Sequence, residues 1–136
     1  MFTDIQGAWP THERMILVSC DETYFNRYFP RFYKTYNEHW KLPIHVHIID
    51  PSDTSMQQWL YECYCQCQRF VVMGSRMTEK QSVIVADVDA YALKTPSEEQ
   101  KKLLFSCSAF TEFNGRLMAS FWHFHPDQLK QIRRLS

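Results

Sequence analysis

The sequence predicts one α/β domain, residues 1–136, built as a three-layer sandwich around a mostly parallel sheet that ends in an antiparallel hairpin. Apolar runs alternate with helical patterns over residues 14–90, which is the order of right-handed parallel units. An Asn-Gly pair between two later apolar runs predicts the hairpin. With 45% hydrophobic residues, the chain has enough apolar side chains to fill a sizeable core.

The first parallel unit opens with an apolar strand at residues 15–20, which ends at Asp21. Aromatic residues then recur every three or four positions over residues 24–40, which predicts a helix that Asp21 or Thr23 caps. Pro30 lies inside this pattern. We expect it to divide a short helical turn from a longer helix that starts there.

The second unit has a predicted strand at residues 44–49, which ends at Asp50. A turn at residues 51–53 follows, because proline, serine and aspartate favour turns. The next helix is predicted over residues 55–73, and Gly74 is its expected end.

A third apolar run begins at Val83 and ends on two aspartates, Asp87 and Asp89. Such a run is typical of a strand buried in a parallel sheet. Since the carboxyl ends of parallel strands lie on one rim, we expect Asp21, Asp50 and this pair to converge there. Two neighbouring carboxylates that stay ionised need a cation, and their oxygens suit Mg²⁺ or Mn²⁺ holding a phosphate-bearing ligand.

The last part of the chain begins with a short polar segment at residues 98–102. The remaining predicted elements are consecutive: a strand at residues 103–110, a turn at Asn114 and Gly115, a strand at residues 116–124, and a helix at residues 128–135 that Asp127 caps.

Composition excludes several classes of protein. Fifteen basic residues balance fifteen acidic ones, so nothing indicates nucleic-acid binding. The three glycines form no phosphate-binding loop of a known pattern. We expect no transmembrane segment and no signal peptide. Five cysteines, an odd number, indicate reduced thiols in a cytoplasmic protein.

Four short stretches carry a resemblance to a known family. In chain order they are Ser19-Cys20-Asp21-Glu22-Thr23-Tyr24, Gln68-Arg69-Phe70, Asp87-Val88-Asp89 and Phe113-Asn114-Gly115-Arg116-Leu117-Met118. Together they resemble motifs of nucleotide-sugar glycosyltransferases of the GT-A fold, closest to the retaining group of glycogenin and related galactosyltransferases. The resemblance spans residues 14–125, with gaps.

This resemblance implies a small Rossmann-like domain of the GT-A type. It also implies metal-dependent transfer of a sugar from a nucleotide-diphosphate sugar donor to an acceptor that the sequence does not identify. Asp87 and Asp89 match the family's Asp-x-Asp motif, which binds Mn²⁺ or Mg²⁺. Asp89 is then the main metal ligand, and Asp87 reaches the ribose, or the metal through a water molecule. Arg69 would neutralise the leaving diphosphate.

The same resemblance places Asp21, Thr23 and Tyr24 around the nucleotide base and Asn114 against the sugar. Three of these positions also have a structural interpretation. Asp21 can simply cap a helix, Tyr24 can pack in the core, and Asn114 can form the hairpin turn.

Other functions stay open. Family members are usually longer than this chain, so the alternative is a catalytically degenerate module that binds nucleotide or serves a structural role. A second copy of the chain, in a homo-oligomer, could supply missing parts of the site. A third hypothesis makes Asp87 the nucleophile of a phosphoryl-transfer enzyme. It is disfavoured because Ala90-Tyr91 follows the motif where such enzymes carry Gly-Thr.

Two histidine pairs, His45/His47 and His123/His125, each alternate along a predicted strand. We interpret the first pair as a stripe that faces solvent or a helix. Either member of the second pair could take the place of the family's late metal-binding histidine, the third metal ligand, which has no counterpart in this chain.

The remaining candidates are cysteines and tryptophans. Cys63, Cys65 and Cys67 are spaced by two residues on a predicted helix, so they splay around it and do not converge on one ion. Trp59 and Trp122 could stack on a sugar ring, or pack in a core or an interface.

Overall fold

The structure, a computed structural model, describes residues 2–5, 8–49 and 57–135 and confirms the α/β class. Its elements follow in this order: β1 Phe2–Ile5, β2 Arg14–Asp21, α1 Glu22–His39, β3 Ile44–Ile49, α2 Gln58–Arg76, β4 Ser82–Ala86, α3 Glu98–Phe105, β5 Ala109–Phe113, β6 Arg116–Phe124 and α4 Leu129–Leu135. Asp50 and the predicted turn at residues 51–53 lie outside the described residues.

The six strands form one mixed sheet in the order β1-β3-β2-β4-β6-β5. The first four in that order are parallel, and β6 is antiparallel to both of its neighbours. The predicted arrangement of a parallel sheet followed by an antiparallel hairpin is therefore confirmed.

Helices cover both faces of the sheet. Successive side chains of the central strand β2 point to opposite faces, so alternate residues of β2 pack against different helices. Ile16 and Val18 of β2 pack with the buried residues of α1 and α3. Met15 and Leu17 pack with those of α2 and α4. The two crossovers move in opposite directions along the sheet, and right-handed connections then require α1 and α2 to lie on opposite faces.

Helix α1 is continuous, so the expected division at Pro30 is wrong. Phe29, Phe32 and Tyr36 are buried along one side of it, and the rings of Phe32 and Tyr36 stack with centroids 4.2 Å apart. Pro30 is exposed and removes one backbone donor from the helix. The buried aromatic stripe on both sides of Pro30 holds the helix together despite that loss.

Helix α2 also passes through its expected end. Gly74 is buried inside the helix, which ends at Arg76. Met73 and Met77 are fully buried around it, and Arg133 of α4 donates from Nε to the Gly74 carbonyl at 3.3 Å. Packing of α4 against the last turn therefore overrides the tendency of glycine to end a helix.

The segment after β4 was predicted incorrectly. Residues 98–105 form helix α3, and the strand expected from residue 103 begins only at Ala109. Ser97 accepts from the Gln100 backbone N–H, and the Gln100 side chain accepts from the Ser97 backbone N–H. This capping box was the signal in the sequence for the helix. Strand β1 was not predicted at all.

The C-terminal turn differs as well. His125, rather than Asp127, caps a 3-10 turn at Pro126–Gln128, and α4 begins at Leu129. The Asn-Gly turn is confirmed: Asn114 and Gly115 have φ angles of 51° and 77°, as a two-residue hairpin loop requires.

All five cysteines are free thiols. None of the helices within the described residues combines the length and the apolar character needed to cross a membrane.

The half-buried imidazole of His47 and the buried imidazole of His123 make the free energy of unfolding depend on pH. Burial lowers the pKa of His47 and of His123 below the ordinary value of 6.5. Below that pH the unfolded chain therefore binds more protons than the folded one, so stability falls as the pH drops from 6.5 toward the lowered pKa values. Above 6.5 these two groups contribute no pH dependence.

We expect His123→Asn to weaken this dependence. The His123 ring lies 2.8 Å, through Nδ1, from the Cys107 carbonyl, and an asparagine amide can donate from nearly the same position. The variant loses about 1–3 kcal/mol at neutral pH through lost ring packing. Its loss of stability between pH 7 and pH 5, measured by urea unfolding, should be smaller than in the wild type. His12→Asn at an exposed position is the control, and an equal change in both variants would contradict the assignment.

Candidate functional site

A cavity of about 620 Å³ lies at the carboxyl ends of β2 and β4. The described residues that line it come from the end of β2, the first turn of α1, helix α2 and the turn after β4: Ser19, Cys20, Asp21, Tyr24, Gln58, Trp59, Tyr61, Glu62, Cys63, Cys65, Gln66, Cys67, Arg69, Asp87, Val88 and Asp89. The chain leaves β2 toward one edge of the sheet and returns from β3 past β2 to β4. The cavity is therefore at the topological switch point, where open α/β sheets bind their ligands.

Five of the seven predicted site residues line this cavity: Asp21, Tyr24, Arg69, Asp87 and Asp89. Thr23 and Asn114 are not among the described residues that line it. Thr23 is exposed on the first turn of α1, and Asn114 is exposed at the tip of the β5–β6 hairpin.

Asp21 joins the end of β2 to both helices that border the cavity. Its Oδ1 accepts from the Tyr24 backbone N–H at 2.8 Å, which caps α1. Its Oδ2 accepts from the Tyr61 hydroxyl of α2 at 2.7 Å, and this bond raises the pKa of Tyr61. The structural interpretation of Asp21 as a cap is thus confirmed. Tyr24 is 48% exposed at the cavity, so core packing does not explain it.

Arg69 and Asp87 form an ion pair at the base of the cavity. Arg69 Nη1 lies 2.7 Å from Asp87 Oδ1. The arginine is only 4% exposed, whereas 26% of the Asp87 side chain is accessible. Burial raises the pKa of Asp87 more than the adjacent guanidinium lowers it. The pair therefore places a buried cation and a partly accessible carboxylate side by side.

Asp89 reaches the same cavity because the chain turns immediately after β4. The Ala90 backbone N–H donates to the Asp87 carbonyl at 3.2 Å, which closes a turn over residues 87–90. In an extended strand these two side chains would share a face but lie along a straight line. The turn instead presents Asp89, which is exposed, to the cavity beside Asp87.

The first half of α2, residues 58–68, forms one wall of the cavity and extends past the carboxyl ends of the strands; we call it the α2 wall. The helix has 19 residues, about 28 Å, whereas β4 has five, about 17 Å. The residues of α2 that are buried lie at Arg69 and beyond: Arg69, Val72, Met73 and Gly74. Residues 58–68 therefore project past the carboxyl ends of the strands and contribute many of the cavity-lining side chains.

The cavity is electronegative. Among the described residues, four carboxylates line it, from Asp21, Glu62, Asp87 and Asp89, together with the guanidinium of Arg69, which leaves a formal excess of three negative charges. A diphosphate entering alone would be repelled by this lining, whereas a cation would be attracted.

The described residues contain no group of three or more histidine, cysteine, aspartate or glutamate side chains that could hold a metal ion. Asp87 and Asp89 are a two-carboxylate donor set. Such a set fits Mg²⁺ or Mn²⁺ only where phosphate and water oxygens complete the coordination, which is how Mg²⁺ is commonly bound.

The histidines do not contribute to this pair. His45 is buried against the ring of Trp9, and His47 contacts the Ser19 hydroxyl. His123 pairs with Ile84, three residues before Asp87, so it lies about 10 Å back along the sheet.

His125 follows the last residue of β6, further still from Asp87, and caps the 3-10 turn before α4. Neither member of this pair supplies the third ligand that the sequence had suggested.

Two of the thiols that line the cavity have raised pKa values. Burial raises the pKa of Cys20 to about 12, which keeps it protonated. Burial also raises the pKa of Cys65.

Trp59 and Trp122, the two candidates for stacking on a sugar ring, have different surroundings. Trp122 packs with the rings of Phe70 and Phe110, whereas Trp59 lines the cavity.

Sequence reasoning missed the polar part of the α2 wall: Gln58, Tyr61, Glu62 and Gln66. Their spacing is helical, but nothing in the sequence indicated that this half of the helix stands above the sheet.

No protein-family model matches this chain, and no curated protein matches it.

We expect Asp21→Ala to destabilise the protein by about 1–2 kcal/mol, because α1 loses its cap and Tyr61 its acceptor. Asp21→Ser keeps a capping oxygen but is too short to reach Tyr61, so it should retain most of that stability. Urea unfolding measures both. Glu22→Ala, an exposed first-turn acid, is the control. If the alanine and serine variants were equally unstable, capping would not be the role of Asp21.

Proposed function

We propose that this chain is a metal-dependent glycosyltransferase that transfers a sugar from a nucleotide-diphosphate sugar to an acceptor. The observation that carries the proposal is the convergence of Asp87, Asp89, Arg69 and Tyr24 on one cavity at the switch point of the sheet. An aromatic side chain, a buried guanidinium and paired carboxylates are the groups that a base, a diphosphate and its metal ion require.

The charge of the cavity supports a metal-bound rather than a bare diphosphate. Asp87 and Asp89 would hold Mn²⁺ or Mg²⁺ together with phosphate oxygens of the donor. A bound ion of this kind would supply Lewis-acid stabilisation of the departing diphosphate. Arg69 adds a second positive charge at the same end of the cavity, where negative charge develops on the leaving group.

In the proposed reaction, the bond between the anomeric carbon and the diphosphate oxygen breaks, and its electron pair leaves on the diphosphate. The acceptor hydroxyl oxygen bonds to the anomeric carbon, and its proton passes to the departing diphosphate. Tyr24 and Asp21 border the end of the cavity assigned to the nucleotide base. The GT-A form of the Rossmann-like fold belongs to the same proposal.

The alternative is a module of the same fold that binds nucleotide without turnover. Release of free diphosphonucleotide from UDP-sugars or GDP-sugars in the presence of Mn²⁺ distinguishes the two. Binding of UDP or GDP without any release, with or without added acceptors, would favour the module.

We expect Asp89→Ala to weaken the manganese-dependent binding of UDP or GDP at least about tenfold, or about 1.4 kcal/mol, in a calorimetric titration. Asp89 is exposed, so its removal should leave the thermal unfolding temperature unchanged. Glu99→Ala, which removes an exposed carboxylate of α3 outside the cavity, is the matched control. Affinity equal to that of the wild type would contradict the metal-site assignment.

Arg69→Gln should separate the two halves of the site. Since the guanidinium competes with a metal ion for Asp87, its removal should leave the affinity for Mn²⁺ alone unchanged or tighter. The affinity for UDP or GDP with Mn²⁺ should fall about tenfold or more, because a charged hydrogen bond to phosphate is lost.

The control for this variant is Arg76→Gln, at an exposed arginine in the last turn of the same helix. Manganese binding by electron paramagnetic resonance and nucleotide binding by calorimetry measure the two effects. Circular dichroism verifies that each variant is folded. A parallel loss of manganese and nucleotide binding in a folded variant would contradict the proposed competition.

A further inference from the structure

One side of the α2 wall carries a row of side chains that the proposed donor site does not use. Trp59, Glu62 and Gln66 are spaced three and four residues apart and lead to Arg69, so all four lie on one side of the helix. All four line the cavity. The row therefore runs from the outer rim of the cavity to the ion pair at its base.

The row extends beyond the length of a diphosphate group. Trp59 precedes Arg69 by ten residues, which corresponds to about 15 Å along the helix axis. With the diphosphate and its metal at Arg69 and Asp87, the part of the cavity at Trp59 stays free for a second ligand. Glu62 and Gln66 lie between the two positions.

Trp59 is held in a way that favours ligand contact. It is 60% exposed, although tryptophan is highly buried on average. Its indole Nε1–H donates to the Gln57 side-chain oxygen at 2.8 Å, which satisfies the polar edge of the ring. Gln58 donates in turn to Glu62 Oε1 at 3.1 Å, which orients that carboxylate. An apolar ring face and oriented polar groups thus share one surface.

We infer that Trp59, Glu62 and Gln66 form the acceptor subsite of the proposed transferase, and that the acceptor is a neutral carbohydrate. This inference rests on the proposed function, because the chain has an acceptor only if it is a transferase. A sugar ring has an apolar C–H face that can stack on the indole. Its hydroxyls can donate to the Glu62 carboxylate and exchange hydrogen bonds with the Gln66 amide.

Charge excludes acidic sugars from this subsite. The cavity lining has an excess of three negative charges, and Glu62 is part of the row itself. A uronic acid would bring another carboxylate against them, which is unfavourable at close range. The row has room beyond one ring, so we expect a disaccharide to bind more tightly than its monosaccharide.

The test follows the Trp59 indole N–H resonance by nuclear magnetic resonance while maltose, cellobiose and lactose are added to the full chain without nucleotide or metal. The resonance is assigned by its absence in Trp59→Leu. At least one neutral disaccharide should shift it saturably. Trp59→Leu should lower the affinity about tenfold or more, measured by calorimetry, as expected for loss of a stacking ring. Glu62→Gln should lower it by a smaller factor.

The test has two controls, one variant and one ligand. Tyr91→Leu removes an exposed aromatic ring outside the cavity and should leave the affinity unchanged. Glucuronic acid should bind more weakly than glucose. Absence of any saccharide effect on Trp59, both alone and with UDP or GDP and Mn²⁺ bound, would overturn the inference while the donor proposal stands.

Two further outcomes would also overturn it. Saturable shifts with tetramethylammonium but not with disaccharides would show that the ring and the carboxylates recognise an organic cation instead. Disaccharide binding in a protein that binds neither UDP nor GDP with Mn²⁺ would remove the transferase proposal, and with it the acceptor role.

Discussion

The candidate site depends on the contact between Arg69 and Asp87. It joins the middle of α2 to the turn after β4, two segments on adjacent sides of the cavity. The guanidinium is buried, so it would be costly without an anionic partner, and the carboxylate supplies one. The same pair offers both charges that the proposed ligands need: a metal ion would compete for the carboxylate, and a phosphate would compete for the guanidinium. Structure and proposed function therefore use the same two charges.

The excess of carboxylates explains why the two kinds of ligand would need each other. A phosphate group alone would meet four carboxylates and one guanidinium within the described part of the lining. A divalent ion alone meets a favourable field, but Asp87 is already paired. In the proposed function, Asp87 and Asp89 would hold the ion, and Arg69 would turn from Asp87 to the phosphate. Every buried charge would then keep a partner of opposite sign, which is the condition for burying them at small net cost.

Much of the fold was predictable because the short, strongly apolar runs of the sequence indicate buried strands. Strand β3 was predicted with its observed bounds, and β2 to within one residue at each end. The errors fall where tertiary packing overrides local preference, as at Pro30 and Gly74, or where the signal is polar, as in α3, of which only Phe105 is buried. For the site, the acidic strand ends predicted the right rim. The α2 wall was not predictable, because helical spacing shows which side chains share a face but not how far the helix stands above the sheet.

That wall is a consequence of unequal lengths. Helix α2 must connect β3 to the start of β4, and only its second half packs on the sheet, through Val72 and Met73. The first half contributes no buried side chain to the core, so polar and aromatic groups can occupy it without disturbing the packing of the sheet. Ligand contacts are then a physical reason for an exposed tryptophan there. The division of one helix into an anchored half and a projecting half thus separates the requirements of folding from those of binding.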